Sequence, residues 1–231
     1  VDEMTVSFMI APRLNAAGRM ASALEAVHLL LGEEPTRADE FAATLNEYNQ
    51  KRRDSENEIL EEAERQIAER GEIARAILLA HEDWNAGVIG IVASRLCEKY
   101  HIPVILFAEQ NGVLTGSGRS IAGIDLFENL SVFSQMFIRF GGHARAAGVT
   151  IAKERYEEFR AAFERHIAES YRPEDFYPSF LYDETVSFGE LSVNRLKELR
   201  QLAPYGEGNA EPVFRFDGVR LRRFAPSAKT T

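Results

Sequence analysis

The stretch from Thr36 to Arg70 contains neither glycine nor proline. Phe41, Leu45, Tyr48, Ile59, Leu60, Ala63 and Ile67 recur along it as an interrupted apolar face. That pattern predicts one continuous helix, capped by Thr36 and stopped by Gly71. At ~1.5 Å per residue it would be on the order of 50 Å long. Few compact domains need such a rod, whereas a link between two domains does. The same stretch, counted over 36–72, holds six basic and eleven acidic residues, −5 of the chain's net −9. A charge run of this kind reads as a solvated, salt-bridge-laced face.

On either side of the rod the pattern changes. TVSFMI (5–10) is a short, apolar, β-prone run that stops at Pro12. PRLNAAGRM reads as a polar loop, and SALEAVHLLL (22–31) as a helix capped by Ser22 and stopped by Gly32. Beyond Gly71, strand-like runs (74–80, 103–108, 113–121, 149–152) alternate with helical ones (88–100, 124–131, 153–171). Asn111-Gly112 is a hairpin signal. RFGGHARAAG (139–148) reads as a Gly-rich loop. This alternation predicts an α/β domain. RPEDFYPSF (172–180) looks like a linker. A strand (181–188), a helix (192–202) and a hairpin over Asp217-Gly218 (213–224) then open a β-rich module.

Composition excludes several classes. Cys97 is the only cysteine among 231 residues, so neither an internal disulfide nor a multi-cysteine zinc site exists, which fits a reducing, cytoplasmic setting. No apolar run reaches the ~20 residues of a membrane span, and the N-terminus lacks the basic-then-apolar layout of a signal peptide. The net charge seems to oppose a nucleic-acid partner. Three segments contradict that first impression: PRLNAAGR (12–19), TGSGRSI (115–121) and RFGGHARAAG (139–148). They hold Arg13, Arg19, Arg119, Arg139 and Arg145 and no acid. Glycine lets backbone N–H groups approach an anion, serine donates to it, and arginine grips phosphate with two parallel bonds. Each segment alone is equally a tight turn with a surface arginine. His143, in Gly-Gly-His, is on spacing alone either a packing residue or a functional one. Asn85 reads as a helix N-cap and His28 as structural. His81, Glu82 and Asp83 are too close in sequence to converge readily on a metal, and HExxH, CxxC and paired-carboxylate motifs are absent.

Taken together, APRLNAAGRM (11–20), WNAGVIGIVASRL (84–96), GSGRSI (116–121), FGGHARAAGVT (140–150) and APYGEGNAEPVF (203–214) resemble the RecJ family of single-strand-specific exonucleases, in the DHH phosphoesterase superfamily. The match runs over nearly the whole chain. GGH…AAG alone would indicate only a DHH-associated domain, which short-oligonucleotide and cyclic-dinucleotide phosphodiesterases share. One departure is Asn85, where some relatives carry histidine, so an acid–base role there is not implied.

The resemblance implies a division of the chain. Residues 1–35 would be the C-terminal remnant of a DHH domain and 36–72 the interdomain helix. Residues 73–171 would form the DHH-associated α/β domain, a mixed sheet flanked by helices, and 172–231 a linker and partial OB-like module. It implies a 5′–3′ exonuclease of single-stranded DNA using Mn²⁺ or Mg²⁺. The metal ligands would lie upstream, with no cofactor in this portion, which alone would be inactive. Ser117 and Arg119 are first choices for a 5′-phosphate pocket, then Arg13. Gly141, Gly142 and His143 would line the substrate phosphate, with His143 the catalytic candidate. Asn15, Arg19 and Ser120 are further contacts. Implied partners are 5′-phosphorylated single strands, with a single-strand-binding protein or helicase beside them; a monomer without membrane association is expected. The competing expectations are a nucleic-acid-binding adaptor and a small-nucleotide phosphodiesterase.

Overall fold

The computed structural model describes residues 3–32, 35–71 and 73–220. The chain divides into two units, Met4–Pro178 and a second from Ser179 onward. The first is built on a five-stranded sheet. Its strands are β1 (Ile77–His81), β2 (Val104–Gln110), β3 (Val113–Arg119), β4 (Arg139–His143) and β5 (Ala146–Ala152), in the order β1-β2-β3-β5-β4. The β1–β2 pair is parallel and every other pair is antiparallel. A parallel pair needs a crossover, supplied by a helix at Ile89–Tyr100.

Six further α-helices lie among the described residues: α1 (Ala11–Met20), α2 (Leu24–Leu31), α3 (Ala38–Arg70), α5 (Leu126–Ser131), α6 (Tyr156–Ser170) and α7 (Val193–Leu199), the crossover being α4. Val104–Phe107 is a solid apolar run because β2 is buried on both faces. Phe107 meets the rings of Tyr156 and Phe159 on α6, at 5.3 and 6.4 Å between centroids. On the opposite face α4 packs over β2 and β3. Asn111 and Gly112, both at positive φ, close the β2–β3 hairpin as the dipeptide predicts.

α3 is the long helix expected between Thr36 and Gly71, and its apolar stripe serves two cores. Leu45 joins Ala17 of α1 and Ala26 of α2. Ile59, Ala63 and Ile67 join the core of the sheet domain. Between these contacts Glu56 is buried and receives Arg52 at 2.7 Å and Arg95 of α4 at 3.0 Å. Removing a partner of a buried carboxylate is costly, so this trio locks α3 to α4. Elsewhere the acidic side chains pair along the surface, as with Arg65 between Glu62 and Glu69.

Several local expectations change. Residues 5–10 are helical, not a strand, and PRLNAAGRM is helix α1, not a loop. The chain at Thr5–Ile10 is wound as a π-helix, with the Ala11 N–H reaching the Val6 carbonyl. Pro12 then falls in the first turn of α1, directly after the π-helical turn. Thr36 does not cap α3: a 3₁₀ turn (Pro35–Arg37) precedes it and the cap position is Arg37. Segment 139–148 is the β4–β5 hairpin rather than a loop. Gly142 makes that hairpin possible, because at φ 154° a side chain there would sit 2.3 Å from the Ala146 carbonyl oxygen.

In the second unit the pairing is short. β6 (Glu184–Thr185) runs parallel to β7 (Phe214–Arg215), so the strand expected over 181–188 shrinks to two residues. Phe188 stacks on Phe216 at 4.6 Å. The second arm of the hairpin expected over 213–224 lies outside the described residues.

Candidate functional site

The side chains of β3 alternate between the two faces of the sheet. Leu114, Gly116 and Gly118 face the core, and Thr115, Ser117 and Arg119 face the α4 side. Register sets the neighbours of the second set. Arg119 lies beside Ala146, which pairs with His143; Ser117 lies beside Gly148, which pairs with Gly141. α4 covers only part of this face. Gly148, Gly141 and His143 remain exposed beside it. The result is a glycine-floored shelf with α4 as one wall.

At one end of the shelf lies a cavity of about 250 Å³, lined by Ser94, Cys97 and Glu98 of α4 and by Arg119, Ser120, Arg145 and Ala146. Arg119 is half-buried. Its Nη1 donates to Ser117 Oγ at 3.1 Å and to the Gly118 carbonyl at 2.7 Å. Burial, and then the charge of Arg19, pull its pKa below the usual guanidinium value. Arg19 reaches this region from α1, where its Nη1 donates to the Gly87 carbonyl at 3.0 Å. Two cations facing one another at a partly buried site are relieved by an anion. Most cations elsewhere have carboxylate partners, as do Arg52, Arg65, Arg70, Arg95, Lys99, Lys153 and Arg160. Among the described residues no carboxylate lies within ion-pair distance of Arg19, Arg119, Arg139 or Arg145.

The residues singled out in the sequence fall into two groups. Ser117, Arg119, Ser120, Gly141, Gly142 and His143 lie on or beside the shelf, with Arg19 reaching it from α1. Ser120 is buried and its hydroxyl donates to the Ile124 carbonyl at 2.7 Å, so its proton is committed to the fold. His143 Nδ1 accepts from the Arg145 N–H at 3.3 Å, which puts the proton of a neutral ring on Nε2. Arg13 is not brought to the shelf by any contact: its Nε donates to Asn46 of α3 at 2.6 Å and its Nη1 to the Met9 carbonyl. Asn15 is exposed on α1. Of the residues weighed as structural, His28 stacks on Phe41 at 5.7 Å. Asn85 Oδ1 accepts from the Gly87 N–H at 2.8 Å, bracing the turn before α4, whose cap position is Val88.

Sequence reasoning undervalued Arg145 and missed two glycines. A side chain at Gly87 would lie 2.4 Å from the Arg19 carbonyl oxygen; one at Gly90 would lie 2.7 Å from Ser117 Oγ and 3.0 Å from Arg119 Nη2. The signal was present in WNAGVIG, where each glycine admits a neighbour to the head of α4. Gly90→Ala should therefore displace the ends of Ser117 and Arg119 while leaving the backbone intact. Phosphate affinity is expected to fall about threefold to tenfold, with stability unchanged or raised by up to ~1 kcal/mol from helix propensity. Isothermal titration alongside urea unfolding checks both halves.

Cys97 reports on the same cavity. Burial pushes its thiol up to about 11, outweighing the nearby Arg145 and Arg119 charges that favour thiolate. A raised pKa means little thiolate at neutral pH. Alkylation at pH 8 is expected to be slow in the native chain and fast in urea, the native rate rising only above pH 10. Equal native and denatured rates at pH 8 would refute this.

The donor set does not suit a divalent cation. The shelf is cationic, and among the described residues no three His, Cys, Asp or Glu side chains come close enough to hold a metal ion. No helix among these residues is long and apolar enough to cross a membrane.

Residues 72–169 match the DHHA1 domain and residues 182–230 the RecJ OB domain. The fold and site thus define a DHH-associated α/β domain followed by an OB segment. The single-stranded-DNA-specific exonuclease RecJ of Bacillus subtilis is 37% identical over 213 residues, 91% of this chain and 27% of the relative. The Haemophilus influenzae RecJ is 35% identical over 226 residues, 93% of this chain and 39% of the relative. Crystal structures of Thermus thermophilus RecJ in complex with Mg²⁺ and with Mn²⁺ each superpose with a TM-score of 0.78 at 33% identity. They cover 92% and 93% of this chain and 33% and 32% of those chains. The chain belongs to the RecJ family. It spans about a quarter to two fifths of the length of these curated relatives.

Proposed function

We propose that this chain is the strand-holding portion of a cytoplasmic 5′–3′ exonuclease of single-stranded DNA. Arg119 and Arg145 take the 5′-phosphate, with Ser117 orienting Arg119 and Arg19 adding charge. Gly141 and Gly142 let the strand lie close to β4, and His143 faces the phosphate that is cleaved. Mn²⁺ or Mg²⁺ would serve the chemistry, held by groups other than the described residues. On this reading 1–35 is the end of a DHH domain, 36–72 is the link and the second unit adds further strand contacts. The protein would act as a monomer beside a single-strand-binding protein or helicase.

One observation carries the reading: in a chain of net −9, the arginines gathered at one shelf lack carboxylate partners among the described residues. Phosphate is the anion that such forks match. The test is a titration with 5′-phosphorylated and 5′-hydroxyl single strands of one sequence, without divalent metal. The phosphorylated strand should bind more tightly, and binding should weaken as salt rises. Equal affinities would refute the terminal-phosphate pocket. Dinucleotides outcompeting longer strands would favour a small-nucleotide phosphodiesterase.

A further inference from the structure

The shelf does not end at the Arg119 cavity. Two residues back along β3 from Ser117, Thr115 pairs with Thr150 of β5, and Thr150 pairs with Arg139 of β4. These three side chains share the face of Ser117, Gly148 and Gly141. A second cavity of about 360 Å³ lies over them, floored by Gly116, Gly141 and Gly148 and lined by Thr115, Thr150 and Arg139. Arg139 is exposed, and no carboxylate among the described residues pairs with it. Neither threonine hydroxyl donates to a protein group among them. The two cavities are therefore successive stations on one strip of sheet. Arg119 and Thr115 are four residues apart on β3, roughly 14 Å at ~3.4 Å per residue. A stretched single strand covers that distance in a few nucleotides, not one.

We propose that Arg139, Thr115 and Thr150 form a second phosphate subsite, which binds an internal phosphodiester of the strand whose terminal phosphate sits at Arg119. This rests on the reading of the Arg119 cavity as a phosphate pocket. The guanidinium supplies charge and two parallel donors, and the hydroxyls donate to the remaining oxygens. Glycines between the stations let the sugar–phosphate chain lie flat. The subsite reads backbone rather than base, so it adds affinity with strand length and without sequence preference. Arg139 thus acts as a length gauge: a mononucleotide never reaches it, whereas a longer strand occupies both stations.

The test uses the full chain without divalent metal and compares Arg139→Ala with Arg119→Ala. Ligands are a 5′-phosphorylated mononucleotide, a dinucleotide and a ladder of longer single strands, over a salt series. Arg139→Ala should leave mononucleotide affinity unchanged and lower that of the longer strands about fivefold to thirtyfold. The salt slope for long strands should fall by ~0.7, one phosphate's worth on a single strand. Thr115→Val with Thr150→Val should show the same length dependence more weakly, with the arginine still in place. An Arg139→Ala variant that binds long strands like the parent overturns the subsite. So does one that weakens the mononucleotide equally, because Arg139 would then belong to the first cavity. In both cases an Arg119→Ala loss at every length leaves the phosphate pocket standing. If Arg119→Ala also changes nothing, the pocket reading fails and the subsite with it.

Discussion

Arg119→Ala is expected to weaken binding of 5′-phosphorylated single strands roughly tenfold to a hundredfold. Bonds to a charged group contribute ~1.5–3 kcal/mol each, and ~1.4 kcal/mol is tenfold. The guanidinium is already anchored by Ser117 Oγ and the Gly118 carbonyl, so little side-chain freedom is lost when phosphate arrives. Arg119→Lys should recover only part of the loss, because an ammonium restores charge without the fork. The effect should be smaller for the same strand with a 5′-hydroxyl. Stability should not fall, since the variant removes a half-buried cation from beside Arg19. Equilibrium titration of both strands, with urea unfolding of the variant, decides the point. An unchanged preference for the phosphorylated end would remove Arg119 from the pocket.

Phe159→Ala is expected to cost about 3–5 kcal/mol of unfolding free energy, as for other fully buried phenylalanines. Its ring meets Phe107 of β2, Phe133, Phe137 and Phe163, at centroid distances from 4.9 to 6.4 Å. Phe107 in turn packs directly beneath Gly116. The loss should appear as a lower urea midpoint with little change in slope. Phosphate binding by the fraction still folded should be nearly normal, because Arg119 and Ser117 project from the opposite face. A cost below ~1 kcal/mol would mean that this aromatic cluster repacks and is not the core of the domain.

Much of this architecture is legible in the residues. A helix from Thr36 to Gly71 follows from an apolar stripe with no breaker. The β2–β3 hairpin follows from Asn111-Gly112, and strand β2 from the apolar run at 103–108. Two errors share a cause, which is treating a local signal as decisive. Pro12 read as a stop because proline breaks helix interiors, but position in the first turn matters more. Glycines 141, 142 and 148 read as a loop because strands seldom hold them. In the structure they are strand residues whose missing side chains keep the shelf open. The site was half legible. Gly–Arg segments without acid pointed to Arg19 and Arg119. Spacing could not say that Arg13 would be engaged by Asn46, or that Arg145 would line the cavity beside Arg119. Gly87 and Gly90 stayed hidden because their role is to admit side chains distant in sequence.

The charge pattern also has a physical sense. Half of the acidic residues of α3 are paired with neighbouring cations, Glu40 with Arg37, Glu56 with Arg52 and Arg95, Glu62 and Glu69 with Arg65, Glu64 with Lys99. The shelf arginines are among the cations that no carboxylate of the described residues pairs with. A net charge of −9 is therefore compatible with an anionic ligand, because binding depends on the local field more than on the sum.

The most direct measurement is a crystal structure of the chain with a short 5′-phosphorylated single strand and no divalent metal. The account predicts the terminal phosphate within hydrogen-bonding distance of the Arg119 and Arg145 guanidinium groups, with the strand lying over Gly141 and Gly148. A terminal phosphate bound elsewhere, with Arg119 still turned onto Ser117 and the Gly118 carbonyl alone, would contradict it.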